Sequence, residues 1–458
     1  MKNFVIIGAG FSGTVLAARL MQESGNTPIR VHLLNGSGRI ARGMAYGTHS
    51  SQHLLNVPAG NMSAFDEHPN HFLDFARTID PHVSPGSFVS RHLYGDYLEW
   101  ILNEAERMAP VSTELNRIYC QVTNITQALT DKSAIVTLQS GETITADKII
   151  LALGHFPANN PALVDSQFYK TDRFLNDPWD HTRLDAIPSR SPVLLLGTGL
   201  TAIDVAMTLL GRNPDREIIA ISRRGLLPQP HRHVAKKPEG SGFKSIWGDA
   251  DTVRMQIRRL REYCEMLSKH GGDWREALAL LRPVTAEIWT AYSEKERRRF
   301  LRHVQPYWDT HRHRLAPAIA DKLTEALSSG KVRIIAGRLL EINKSADQVR
   351  VTFRQRGSTK TRTEYPQYVI NCTGPCSHPR QTNSELIHQL LNDNMLRIDS
   401  LGLGIDVAPD CSVINSSGEA SENLFYIGPW LRAAYWEATA VPDLRVIAGK
   451  LSKKLLTH

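Results

Sequence analysis

Short unbroken apolar runs alternate along this chain with stretches whose apolar residues recur every three or four positions. Phe4–Ile7 is such a run; TVLAARLM (14–21) follows at helical spacing, and IRVHLLN (29–35) is the next run. Consecutive apolar positions mark strands buried on both faces, as in parallel sheets covered by helices. The same strand–helix–strand order returns at PVLLLGTGLTAIDVAMTLL (192–210) and EIIAISRRG (217–225). Between them IYCQVTNI, AIVTLQ and ITADKIILALG read as a β-meander, with turns at Asp131 and Gly141. From 240 to 330 the pattern becomes helical: 251–270, 273–291, 293–304 and 314–329. Strand patterns resume with GKVRIIAG, LLEINK, QVRVTFR and QYVINCTG (330–374). The prediction is an α/β fold.

The joints between strand and helix carry the first chemistry. Gly8, Gly10 and Gly13 form GxGxxG (GAGFSG, with Phe11 and Ser12) between a strand and a helix, inside a βαβ unit. That context makes it a dinucleotide fingerprint. One glycine permits the tight turn, one admits a pyrophosphate to the helix N-terminus, and one lets helix and strand pack closely. Asn35 stands where an acidic residue usually binds a ribose hydroxyl; its amide can bond a ribose without charge. The loop-rich segment 40–65, with Tyr46, Asn56, Val57 and Met62, has the composition of a ligand wall or of a long surface loop.

The second joint reads GxGxxA: Gly197, Gly199, Leu200, Thr201 and Ala202. Ser222 lies 23 residues after Gly199, at the end of the next strand, followed by Arg223 and Arg224. Serine plus arginine in place of an acid favours a 2′-phosphate, because guanidinium offers a planar fork of donors. The expectation is NADPH at this second site, with Ser222, Arg223 and Arg224 on its phosphate; a solvated basic turn is the alternative.

Composition narrows the class. The 458 residues allow two or three domains, and 54 Lys+Arg against 46 Asp+Glu leave +8, mild for this length. Residues 251–320 hold 14 Lys+Arg against 9 Asp+Glu, so the helical stretch carries much of the excess; EKERRRF (294–300) reads as a solvated face. Nothing points to nucleic acid. Five widely spaced cysteines give neither a disulfide framework nor CxxC, and Cys264 is expected to be a buried thiol. His311 and His313 are two apart, the wrong spacing for a helical metal pair; THRHRLAP (310–317) is read as an anion or substrate site or as structural hydrogen bonding. No apolar run is long enough to insert in a membrane, and the glycine-bearing N-terminus lacks a clear cleavage site, so a cytoplasmic protein is expected.

The order GxGxxG, meander, ALG, GxGxxA, SRRG, NCTGP and YIGP resembles the two-dinucleotide-binding flavoproteins. The closer resemblance is to a bacterial group of FAD/NAD(P)-binding oxidoreductases, through GMAYGT…HLLNVPAGNMSAF (43–65), SRRGLLP, YWDTHRHRLAP and WEATAVPDLR. More distantly the chain is similar to class B flavin monooxygenases such as lysine and ornithine N-hydroxylases. The chain departs in three ways from known branches of the two-dinucleotide-binding flavoproteins, the disulfide reductases among them. CxxC is absent, the FxGxxxHxxxW fingerprint is missing, and the usual GD near the C-terminus is Gly428-Pro429.

The resemblance implies two Rossmann-like domains. A discontinuous FAD domain (1–160 and 376–458) would enclose an NADPH domain (161–375) with a helical insert at about 240–330. It also implies that Gly154, Gly428, Pro429, Trp436 and Glu437, with Tyr46, Asn56, Val57 and Met62, lie near the flavin, and that a helix starting near Val441 points at it. The expected activity is an NADPH-reduced FAD monooxygenase that forms a C4a-(hydro)peroxyflavin and hydroxylates a small molecule with molecular oxygen, at nitrogen by the distant likeness. Alternatives are an NADPH-dependent flavin reductase or dehydrogenase without oxygen insertion, and a non-catalytic nucleotide-binding module. No protein acid, base or nucleophile is assigned, because a flavin carries the difficult chemistry itself.

Overall fold

A computed structural model describes residues 1–48, 50, 52–127, 133–163, 166–233 and 252–457. Two sheets organise it. The first runs Ser412–Ile414, Ala420–Tyr426, Lys148–Leu151, Lys2–Ile7, Ile29–Leu34, Thr113–Ile118, and is parallel except for its first pair. The second runs Thr361–Glu364, Gln348–Gln355, Val332–Ser345, Ile218–Ser222, Val193–Leu196, Tyr368–Asn371, Phe174–Leu175. Its centre is parallel and its Gln348–Glu364 edge is an antiparallel hairpin. The three-stranded meander Val122–Gln127, Ala134–Leu138, Thr143–Ala146 stands apart as a small antiparallel sheet.

The apolar runs end where expected, in the sheet centres. Phe4, Val5, Ile6 and Val193–Leu196 are buried on both faces. Each such side chain contributes about 1.5–3 kcal/mol of burial. The two glycine turns are built alike. Gly8 has φ +110°, and a Cβ there would stand 2.4 Å from the Ala152 carbonyl oxygen. Gly197 has φ +117°, and its Cβ would stand 2.3 Å from that of Cys372. In both folds the strand turns into its helix hard against the neighbouring strand end, and only glycine fits.

Several expectations are corrected in detail. GKVRIIAG and LLEINK are one strand, Val332–Ser345, bent by a bulge between Leu339 and Glu341. The helix over 273–291 breaks at Pro283 into Trp274–Leu281, a 3₁₀ turn and Thr285–Ala291. The helix expected to stop at 304 continues from Glu294–Arg299 through a π-helical turn, Phe300–Val304, into Gln305–Arg312. Cys264 is half-buried, since Val253–Lys269 buries only Val253 and Gln256 fully. Asp131 and residues 240–251 lie outside the described residues.

The insert packs against the C-terminal segment. Trp289 stacks on Trp436 with centroids 4.6 Å apart, and its indole N–H donates to the Ala433 carbonyl at 2.8 Å. The helix Leu200–Arg212 docks on the first domain through Asp204, paired with Arg91 at 2.8 Å, and through Thr208, 2.9 Å from His53. No helix of the described residues is long and apolar enough to cross a membrane.

Candidate active site

Two clefts flank the segment 309–314, the end of the Gln305–Arg312 helix and the two residues after it. The first cleft, about 980 Å³, is lined by Gly197, Gly199, Thr201, Ser222, Arg223 and Arg338 on the sheet side. Asp309, His313 and Arg432 line its inner end. A Cβ on Gly199 would meet nothing within 4 Å, so the loop presents bare backbone. The helix behind it, Leu200–Arg212, has neither a side-chain cap nor an acid in its first turn. The helix Phe11–Glu23 shares both properties. Ser90, Asp180, Thr252, Asp273, Ser293 and Ser384 cap other helices, while Gln305–Arg312 and Pro317–Ser328, which begin with proline at or next to their first residue, also lack a cap and a first-turn acid. Both glycine loops thus leave helix N–H donors without a side-chain partner, which suits a pyrophosphate.

The two arginines of ISRRG part company. Arg223 is exposed on the cleft wall. Arg224 turns away and donates to the Arg302 carbonyl at 3.3 Å. Ser222 is engaged in the turn: its hydroxyl accepts from the Gly225 N–H at 2.9 Å and bonds the Thr198 hydroxyl at 2.9 Å. The second cation on the wall is Arg338, which sequence reading missed because it lies within the bulged strand Val332–Ser345, far along the chain from the motif.

In the first fold Gly10, Phe11, Ser12 and Gly13 sit beneath the 40–47 segment. Gly43, at φ +57°, packs on Gly10, and a Cβ on Gly43 would stand 3.0 Å from the Gly10 Cα. The Asn35 amide N–H₂ donates to Ser37 Oγ at 2.8 Å and to the Arg39 carbonyl, leaving its oxygen to accept from a ribose hydroxyl. Tyr46 lies against Tyr94, centroids 4.6 Å apart, and burial pushes its hydroxyl up to about 12. Met62 is buried in the core, whereas Gly154 is open. Gly428, beside Pro429, approaches the Leu153 carbonyl so closely that a Cβ would stand 2.5 Å from it.

The second cleft, about 870 Å³, lies between the sheets and the insert. Asn56, Val57 and Asn61 form one wall; Arg275, Arg282, Arg312 and Arg314 form the other. His231 Nε2 donates to the Asn56 carbonyl at 3.0 Å, and burial beside Arg314 pushes this imidazole down to about 4, so it is neutral at pH 7. Glu437 does not line this cleft but anchors its wall. Its Oε2 lies 2.9 Å from Arg312 Nε, and its Oε1 accepts from the Trp308 indole at 2.9 Å. Trp436 likewise sits inside the packing between insert and C-terminal segment, with Arg432 over its ring at 4.0 Å. At the inner end of the first cleft, burial raises Asp309 and lowers His313.

Residues 5–156 match the family described as FAD-NAD(P)-binding. The matched span includes the first glycine loop, Asn35, Tyr46 and the Asn56–Met62 wall. The chain is 26% identical over 332 residues to an L-aspartate N-monooxygenase (nitrosuccinate-forming) from Streptomyces davaonensis, covering 56% of this chain and 48% of that protein. It is 25% identical over 242 residues to a nitrosuccinic acid synthase from Aspergillus oryzae, covering 46% and 36%. The chain thus spans about half the length, or less, of these curated relatives. Its fold is that of solved flavin monooxygenases. Ornithine hydroxylase from Pseudomonas aeruginosa superposes with a TM-score of 0.67 at 15% identity, covering 100% and 99% of the two chains. L-lysine 6-monooxygenase from Pseudomonas syringae gives 0.66 at 16%, covering 99% of each.

Proposed function

We propose that this protein is an FAD-dependent, NADPH-reduced monooxygenase that hydroxylates the nitrogen of a small amine. The supporting observation is the arrangement of the two clefts on either side of the 309–314 segment, one beside an uncapped glycine loop with Arg223 and Arg338, the other beside the span that matches the FAD-NAD(P)-binding family. FAD, when bound, supplies the two-electron chemistry between NADPH and oxygen. Overall, one oxygen atom goes to the amine nitrogen; the other leaves as water with the hydride of NADPH and one proton.

The chain's own residues bind and orient. The N–H groups after Gly10 and Gly199 would each hold a pyrophosphate. Arg223 and Arg338 would hold the 2′-phosphate. His231, neutral and tied to the Asn56 carbonyl, fixes the wall beside which the flavin ring and substrate would meet. We place the domain limits at 1–160 and 376–458 for FAD and 161–375 for NADPH. The five free thiols fit a reducing, cytoplasmic setting.

Purified protein should carry FAD and oxidise NADPH, and an amine from a panel should yield a hydroxylamine or a more oxidised nitrogen product. Complete recovery of the electrons as hydrogen peroxide with every amine would instead favour a reductase or oxidase.

A further inference from the structure

Five arginines, Arg232, Arg275, Arg282, Arg312 and Arg314, line the interdomain cleft, against Glu276 and Asp321 as the carboxylates on its lining. Arg232 pairs with Asp273 at 2.9 Å and Glu276 at 2.8 Å, and Arg275 pairs with Asp273 at 3.1 Å. Arg312 pairs with Glu437, while Arg282 has a looser contact with Asp443 at 3.5 Å. Arg314 has no carboxylate within 4 Å among the described residues, and its Nε is buried without a hydrogen-bond partner. Asp273 reaches it electrostatically from beyond 4 Å; its other neighbours are a Trp274 ring at 6.0 Å and the like charges of Arg312, Arg275 and Arg232. Burial and those charges push its guanidinium down to about 10, so it remains charged at pH 7.

A guanidinium held this way is costly unless an anion completes it. Neither glycine loop lines this cleft, so the pyrophosphates of the two nucleotides are not that anion. We infer that the cleft takes an anionic substrate: a small amine bearing carboxylates, as an acidic amino acid does, with its carboxylates on Arg314 and Arg282. This inference rests on the N-hydroxylation reading and supplies its substrate class. The same field disfavours a second ammonium, so diamines and basic amino acids are excluded by charge rather than by size.

The test is isothermal titration calorimetry on FAD-loaded full-length protein with L-aspartate, L-glutamate, succinate, L-ornithine, L-lysine, cadaverine and inorganic phosphate. L-Aspartate or L-glutamate should bind, succinate should compete, and the basic amines should not bind. Arg314→Ala should weaken binding about 10- to 100-fold, and Arg314→Lys should recover part of it. Succinate competition on the unaltered protein reads the site independently of whether the variants fold. Binding of basic amines in place of acidic ones, competition by phosphate alone, or unchanged affinity in a folded Arg314→Ala would each overturn the inference. FAD content and NADPH oxidation of the unaltered protein are measured beside it. Their loss would count against the flavin-and-NADPH reading, not against the charge of the cleft.

Discussion

Arg312 Nε lies 2.9 Å from Glu437 Oε2, with the two side chains 14% and 8% exposed. This ion pair joins the end of the Gln305–Arg312 helix to the segment leading into the C-terminal helix Val441–Thr457. It holds Arg312 on the wall of the interdomain cleft. Removing one partner of such a pair leaves a buried charge, whereas replacing both need not be costly. Glu437→Gln should therefore lower unfolding stability by about 3 kcal/mol. Arg312→Met combined with Glu437→Leu should restore much of it. Urea unfolding of the four proteins in the cycle checks this, and equal loss in single and double variants would contradict it.

The two glycines of the second loop should separate folding from binding. Gly197→Ala puts a Cβ 2.3 Å from the Cys372 carbonyl oxygen at a positive φ and should lower the melting temperature. Gly199→Ala meets nothing within 4 Å and has ordinary backbone angles. Its melting temperature should stay close to that of the parent, while NADPH binding weakens as the added methyl occupies the pyrophosphate approach. Differential scanning fluorimetry with and without NADPH reads both effects.

Cofactor choice should depend on Arg223 and Arg338, not on the adjacent arginine pair. Arg223→Ala and Arg338→Ala should each weaken NADPH by about 1.5–3 kcal/mol and leave NADH nearly unchanged. Arg224→Ala should change the NADPH-to-NADH preference little, because its side chain turns to the Arg302 carbonyl. Measured dissociation constants for both cofactors decide this.

Acid should loosen the cleft before it affects the sheets. His231 is held neutral in the fold, at about 4, and His53 is also lowered, in both cases chiefly by burial. A histidine with a lowered folded value binds fewer protons than its unfolded form. The stability it contributes is therefore present above the unfolded value of about 6.5 and is lost as pH falls toward 4. Urea midpoints should drop between pH 7 and pH 5, and His231→Gln should flatten that slope.

How much of this was legible in the sequence follows from the range of the interactions. The glycine turns depend on contacts between adjacent strands of a βαβ unit, so GAGFSG and GTGLTA announce them locally. The place of Arg223 at the end of its strand was legible for the same reason. The direction of Arg224, the place of Arg338 on the cleft wall and the burial of Trp436 depend on elements far apart in the chain. The insert's charge was visible, and Glu294, Lys295, Arg298 and Arg299 of EKERRRF are solvated as expected, whereas Glu296 and Phe300 of the same stretch are buried. The inward share, Arg275, Arg282, Arg312 and Arg314, lies on separate segments that only the packing of the insert brings together. THRHRLAP held two of these four arginines, and its neighbours in sequence could not reveal the others.

Oxygen-isotope labelling tests the central claim most directly. FAD-loaded protein is given NADPH, an acidic amino acid and ¹⁸O₂, and the nitrogen-oxidised product is analysed by mass spectrometry. The account predicts one labelled oxygen atom for each first oxidation of the nitrogen and NADPH consumed in step with product. Electrons recovered wholly as hydrogen peroxide, or product oxygen drawn from water, would contradict it.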